Sequence, residues 1–210
     1  MKKLTKLYII TFFIIISIFF SIFIYYLDKN IMPSVLSIGD GEIKSLSTEI
    51  INKNILEVCT KEFDYGDIMK IEKDDEGNIV MVRADVVKLN IISSKLALEA
   101  QEDLKKIGAV GVKIPLSYVF NNSILGELGP KINVKMVPVG RVDIKYDTEF
   151  QSAGINQTRH KIYVEVYAKL KLTVPFDSKD IEVKVQMPIA ETIIVGKIPK
   201  TSISFDGIGK

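Results

Sequence analysis

The hydrophobic pattern changes character three times along the chain. Leu7–Leu27, LYIITFFIIISIFFSIFIYYL, is a run of 21 residues without a charge. As a helix it would be about 31 Å long, matching a hydrocarbon core of roughly 30 Å. After Pro33, the residues Leu36, Ile43, Leu46, Ile50 and Val58 fall on one helical face, with Ile51 and Ile55 flanking it. This spacing predicts a helix over 33–61, and Gly39 and Gly41 suggest a bend in its early turns. A second stripe, Leu89, Ile92, Leu96, Ala100, Leu104 and Ile107, predicts a helix over 88–107. Glu102 and Lys106 stand at i,i+4 on its polar side, whereas Leu98 lies opposite the stripe. Either this helix packs on two sides or Leu98 is exposed.

Elsewhere the period drops to two. The segments flanking Asp74-Asp75-Glu76-Gly77 predict a hairpin over 67–85. The region 131–195 is rich in strand patterns. Residues 131–137 and 141–150 flank Pro138-Val139-Gly140, with Val142, Ile144, Tyr146 and Phe150 on the apolar side of the second segment. In 160–174, Ile162, Val164, Val166, Ala168, Leu170, Leu172 and Val174 alternate with polar or amphipathic residues. Ile181, Val183, Val185 and Met187 repeat the pattern, and Ile193-Ile194-Val195 suggests a last strand. Between these regions, 108–130 is punctuated by Gly108, Gly111, Pro115, Gly126, Gly129 and Pro130. Tyr118, Phe120, Ile124 and Leu125 suggest that it is a packed loop or a short helix. Half-polar strands call for a covered face, and two amphipathic helices are available to supply it. The expected fold class is α+β: an N-terminal transmembrane helix followed by an antiparallel sheet packed by the two helices.

Charge refines the first segment. Lys2, Lys3 and Lys6 precede the apolar run, and the net charge of the 210 residues is only +2. The rest of the chain is therefore slightly acidic and has no basic patch for nucleic acid. A cleaved signal would have an apolar region of about 7–15 residues and a small-residue cleavage site, and Tyr25-Tyr26-Leu27-Asp28 offers none. The expectation is a cytoplasmic tail over 1–6, a single-pass anchor over 7–27 and an extracytoplasmic domain over 28–210.

Candidate chemistry is sparse. His160 and Cys59 are the only histidine and the only cysteine. They cannot furnish a standard tetrahedral metal site without carboxylates, and a lone cysteine makes no intramolecular disulfide. No G-x-S-x-G or phosphate-loop motif occurs. No cofactor is expected. Asn121-Asn122-Ser123 and Asn156-Gln157-Thr158 match the glycosylation sequon, a pattern common by chance. The polar cluster Asn156, Gln157, Thr158, Arg159 and His160 precedes the strongest strand pattern. Its residue types suit a strand-to-strand connection, with Arg159 and His160 capping or flanking the strand.

Three longer stretches carry a resemblance: GPKINVKMVPVG (129–140), FQSAGINQTRHKIYVEV (150–166) and MPIAETIIVGKIP (187–199). With the anchor and the amphipathic helix, they resemble the sporulation protein YunB family across almost the whole chain. The resemblance implies a sporulation-specific membrane protein of the mother cell, with no catalytic activity or cofactor to carry over. Pro188, Ala190, Glu191, Thr192, Gly196 and Pro199 fit the family pattern, as do Ala153, Gly154, Asn156, Gln157, Thr158, Arg159 and His160. The leading expectation is a non-enzymatic assembly or interaction factor working with other spore-envelope proteins. Its candidate interaction surface is Asn156, Gln157, Thr158, Arg159, His160 and Glu191. The alternatives are an envelope-modifying hydrolase using His160 and a cell-wall-binding module.

Overall fold

The computed structural model describes residues 2–119, 130–154, 156–175 and 177–196. The expected packed segment at Phe120, Ile124 and Leu125, the Asn121-Asn122-Ser123 sequon and Pro199 lie outside those residues. The fold is mixed α and β, with antiparallel sheets behind a long apolar N-terminal helix.

Helix α1 spans Lys2–Tyr26, and its large apolar side chains from Leu7 onward are 37% to 72% exposed. Protein covers none of them, so this surface is compatible with a lipid environment. At its end Lys29 Nζ donates to Tyr25 Oη at 3.0 Å. One π turn, Leu27–Ile31, then carries the chain into α2, Met32–Glu62, with helical dihedrals on both sides. α2 stays helical through Gly39–Gly41. The π turn rephases the helix, and the buried stripe of α2 begins at Ile31 and Met32.

The chain divides into two compact units. Unit 1 comprises Met1–Ile51, Leu98–Asp143 and Tyr167–Lys184. In it β3 (Val112–Pro115) runs antiparallel to β4 (Lys131–Pro138), with Val112 opposite Val134 and Pro115 opposite Lys131. β4 in turn pairs antiparallel with β6 (Gln157–Val174), with Met136 opposite Leu172. The short helix α5, Leu116–Val119, follows β3. Val35, Ile43, Ile51, Ala100, Leu104, Val134, Leu170 and Leu172 are buried here. Two glycines permit the close approach of helix to strand. A Cβ on Gly39 would meet Val134 Cγ1 at 3.2 Å, and one on Gly108 would meet the Met136 carbonyl oxygen at 2.3 Å. Gly108 therefore does not end the second amphipathic helix. That helix, α4, spans Val86–Val110 and stops at Gly111, whose φ of 74° supplies the left-handed cap. Its buried stripe runs Leu96, Ala100, Leu104, Gly108, while Ile107 faces outward and Leu98 is 70% exposed. Asp40 pairs with Lys179 and Lys44, and the Lys179 hydrogen bond leads in holding its carboxyl below the usual range.

Unit 2 comprises Asn52–Ala97, Ile144–Val166 and Val185–Lys210. The four-residue helix α3, Tyr65–Ile68, leads into β1 (Met69–Lys73), which pairs antiparallel with β2 (Ile79–Ala84). Asp74 builds the turn between them. Its Oδ1 accepts from the backbone N–H groups of Glu76 and Asn78, and its Oδ2 accepts from the Asn78 amide. Those bonds, the Asn78 side chain first, hold the Asp74 carboxyl below its ordinary range. β5 (Asp143–Gly154), β6 and β7 (Asp177–Val195) complete the larger sheet, whose order is β3-β4-β6-β5 with β7 also paired to β6. The last apolar triplet, Ile193–Val195, belongs to β7 and is not a separate strand. Ile55, Val58, Ile92, Leu96, Ile162, Val164 and Val166 are buried in unit 2.

Candidate functional site

The polar cluster lies in unit 2, and most of it is strand. The backbone turns at Asn156, whose φ of 63° is left-handed, a conformation asparagine tolerates better than most residues. β6 begins at Gln157, three residues before the expected start. From there the strand period decides where each side chain goes. Thr158 and His160 share a face with Ile162 and Val164, while Gln157, Arg159 and Lys161 take the other.

The consequence for His160 is full burial, at 0% exposure. It is thus not part of an exposed contact surface, nor does it cap the strand. Its Nδ1 lies 2.9 Å from Tyr65 Oη. The Phe150 ring stacks on the imidazole with centroids 4.2 Å apart and planes 6° apart. Phe150 is itself 54% exposed, contrary to its place in the alternation: it lids His160 and does not sink into the core. Burial holds the His160 pKa below the ordinary histidine value, so the ring is neutral at pH 7. Nε2 is buried with no hydrogen-bond partner among the described residues.

Two half-buried titratable groups of unit 2 are equally quiet chemically. Burial pushes the Cys59 thiol up to about 11, leaving almost none of the reactive thiolate at neutral pH. Burial likewise pushes the Tyr146 phenol up to about 12. No three His, Cys, Asp or Glu side chains converge on a metal-sized site among the described residues.

On the opposite face Arg159 Nε pairs with Glu191 Oε1 at 3.2 Å, and Lys161 Nζ approaches Glu191 Oε2 at 4.0 Å. Arg159 and Glu191 are 40% and 50% exposed and Lys161 22%, so solvent screening limits the pairs to about 1 kcal/mol. The six candidate residues therefore do not form one surface. Strand alternation sends Asn156 and Thr158 to one place, Arg159 and Glu191 to another, and His160 inside.

Asn156 and Thr158 line an open cavity of about 550 Å³. Its other walls are the hairpin tip Gly77–Ile79, Phe150 and the end of β7 at Ile194–Gly196. Gly196 N donates to the Asn156 carbonyl at 2.7 Å, tying β7 to the turn that opens β6. Asn156 Nδ2 is buried with no hydrogen-bond partner among the described residues. No charged side chain lines the cavity. Its volume is that of a small-ligand or peptide-side-chain pocket, and its chemistry is an aromatic face, an amide and a hydroxyl. Tyr65 and the hairpin tip carry no local sequence signal linking them to the cluster, whereas Phe150 opens the stretch 150–166 that contains it. Gly196 is linked as well, through the resemblance noted for 187–199.

The family model described as sporulation protein YunB matches residues 111–201. That range contains β4 to β7 and every residue of the cluster. Sporulation protein YunB of Bacillus subtilis (strain 168) is 28% identical over 184 residues, covering 83% of this chain and 72% of that protein. No solved structure matches.

Proposed function

We propose that this chain, which belongs to the sporulation protein YunB family, is a single-pass membrane-anchored assembly factor of the spore envelope that works by contact and not by catalysis. The observation that carries this is the state of its lone histidine. His160 is buried, neutral and committed to Tyr65, whereas the uncharged cavity beside it is open. A general base must reach a substrate proton, and a ring lidded by Phe150 does not. The lysines at 2, 3 and 6 support a cytoplasmic N-terminus with residues 28–210 on the far side. In a mother cell, that orientation fits the outer forespore membrane with the domain facing the intermembrane space.

Replacement of Thr158 by arginine fills the cavity with a charge. It is expected to abolish spore formation at unchanged protein level, and normal sporulation would reject a contact role for the cavity. His160→Phe keeps the stacking and removes the base. Under this proposal it sporulates; an accumulating but inactive variant would favour a hydrolase. For topology, a cysteine introduced at exposed Glu149 in a Cys59→Ser background should stay protected from a membrane-impermeant maleimide when only the mother-cell membrane is permeabilised, and react once the outer forespore membrane is opened. Labelling on permeabilisation of the mother-cell membrane alone would reverse the orientation.

A second reading is favoured by the chemistry of the cavity walls. An exposed aromatic ring beside an amide and a hydroxyl, with no charge, suits a neutral polyhydroxylated ligand such as a cell-wall glycan. Retention of the full chain on peptidoglycan, lost in Thr158→Arg, would support this reading. Passage of both proteins through the column would dismiss it.

A further inference from the structure

Unit 1 contains a second feature, at the end of its sheet nearest the anchor. Gly39 packs on Val134 and Ile114, and Ser47 Oγ lies 3.6 Å from Met136 Sδ. β4 therefore advances in the same direction as α2, away from the bilayer. Gly39 stands about 18 Å of helix beyond Leu27. Lys131, three strand residues back from Val134, drops about 10 Å toward the membrane. Its register partner is Pro115, and α5 follows directly, carrying Tyr118 with 62% of its surface exposed. That level is about 8 Å above the hydrocarbon edge, at the top of a headgroup layer roughly 5–8 Å deep.

Lys131 and Tyr118 stand at that level, and Lys113, opposite Asn133, is two strand residues (about 7 Å) farther out, within reach of the layer through its long stem. Lys113, Lys131 and Tyr118 line an open groove of about 310 Å³ whose upper wall carries Ile38 and Glu42. Lys113 and Lys131 are exposed, and neither makes an ion pair among the described residues. An amphipathic phenol with two free ammonium groups is the composition of an interfacial anchor, and long lysine stems extend their charge toward phosphate. Glu42 sits on the side away from the bilayer, leaving the lower rim cationic.

We propose that the membrane-proximal end of unit 1 is an anionic-phospholipid site, with Lys113 and Lys131 on lipid phosphates and Tyr118 in the headgroup layer. This rests on the reading of Leu7–Leu27 as the anchor. Each lysine near an anionic surface favours binding about fivefold, so the pair contributes about 30-fold.

The chain has no tryptophan, so a single introduced one reports its own depth. Full-length Tyr118→Trp and Tyr25→Trp proteins are reconstituted separately in nanodiscs of phosphatidylcholine alone and with phosphatidylglycerol, each with a headgroup spin label. Quenching at position 118 in the anionic discs, lost on adding Lys113→Glu and Lys131→Glu, is the expected result. Quenching at position 25 with none at 118 in either lipid overturns the site and leaves the anchor standing. Equal quenching at 118 in both lipids, or quenching that survives the charge reversal, overturns the anionic specificity. Absence of quenching at position 25 overturns the anchor, and the site with it.

Discussion

Three glycines in unit 1 make a graded test of how its helices meet its strands. Ala replacing Gly in a helix gains about 1 kcal/mol in propensity. At Gly41 nothing lies within 4 Å of the added methyl, so Gly41→Ala should stabilise by about that amount. At Gly39 the methyl meets Val134 Cγ1 at 3.2 Å and Ile114 Cδ1 at 3.3 Å, contacts that yield by small side-chain shifts. Gly39→Ala should therefore lie near zero. At Gly108 the methyl would stand 2.3 Å from the Met136 carbonyl oxygen and 2.7 Å from Met136 Cγ. The first is a backbone atom of β4, which is paired on both sides, by β3 and by β6. Relief requires moving α4 or distorting the ladder. Overpacking of this kind costs about 1–3 kcal/mol, and the propensity gain offsets only part of it. The expected order of stability is Gly41→Ala, wild type close to Gly39→Ala, then Gly108→Ala lower by up to about 2 kcal/mol. Urea unfolding of the detergent-solubilised full chain, followed by far-ultraviolet circular dichroism, measures this directly. A Gly108→Ala protein as stable as Gly41→Ala would refute the claim that α4 lies against β4 at Gly108.

The remaining predictions concern the histidine and its surroundings. The folded pKa of His160 is depressed, so the unfolded chain binds its proton more readily. Its contribution to stability is full above about pH 6.5 and falls as pH drops from there toward the folded pKa, and His160→Phe should flatten that slope in unfolding curves at pH 5 to 7.5. Tyr65→Phe removes one hydrogen bond and should cost about 1 kcal/mol, with sporulation retained; a larger loss than His160→Ala would contradict the geometry. Cys59, with its thiol raised to about 11, should alkylate far more slowly in the folded protein at pH 8 than in urea, and equal rates would show it to be accessible.

How far the chain could be read in advance depended on whether side-chain polarity tracked burial. In β6 it did: Ile162, Val164, Val166, Ala168, Leu170, Leu172 and Val174 are all buried, because one face of the strand is covered throughout. In α4 the stripe at Leu96, Ala100 and Leu104 was visible, but its continuation is Gly108, buried because it has no side chain. A search for apolar residues selects Ile107 there and reads the glycine as a stop. The site was misread for a related reason. Gln157 to His160 look like a turn by polarity, yet they pair as strand, and the alternation divides them between two faces. Nothing local to Tyr65 links it to a histidine 95 residues along the chain, and Phe150, though in the same stretch as His160, looks like a core residue by alternation; only the fold brings those rings together. The π turn at Leu27–Ile31 is signalled only by Pro33 beyond it, which has no N–H to return to the Lys29 carbonyl.

The unbroken passage from α1 through that turn into α2 has a mechanical consequence. A flexible tether would let the attached protein sample a hemisphere of positions and bind partners at many heights. A continuous helix sets unit 1 at one elevation and couples its rotation to that of the membrane span. Encounters with other envelope components then reduce to a search in two dimensions, by lateral diffusion and by spinning about the helix axis. A partner must present its complementary surface at the same distance from the bilayer. Inserting residues between Leu27 and Ile31 would shift that elevation and that azimuth together, without altering a single side chain of the folded units.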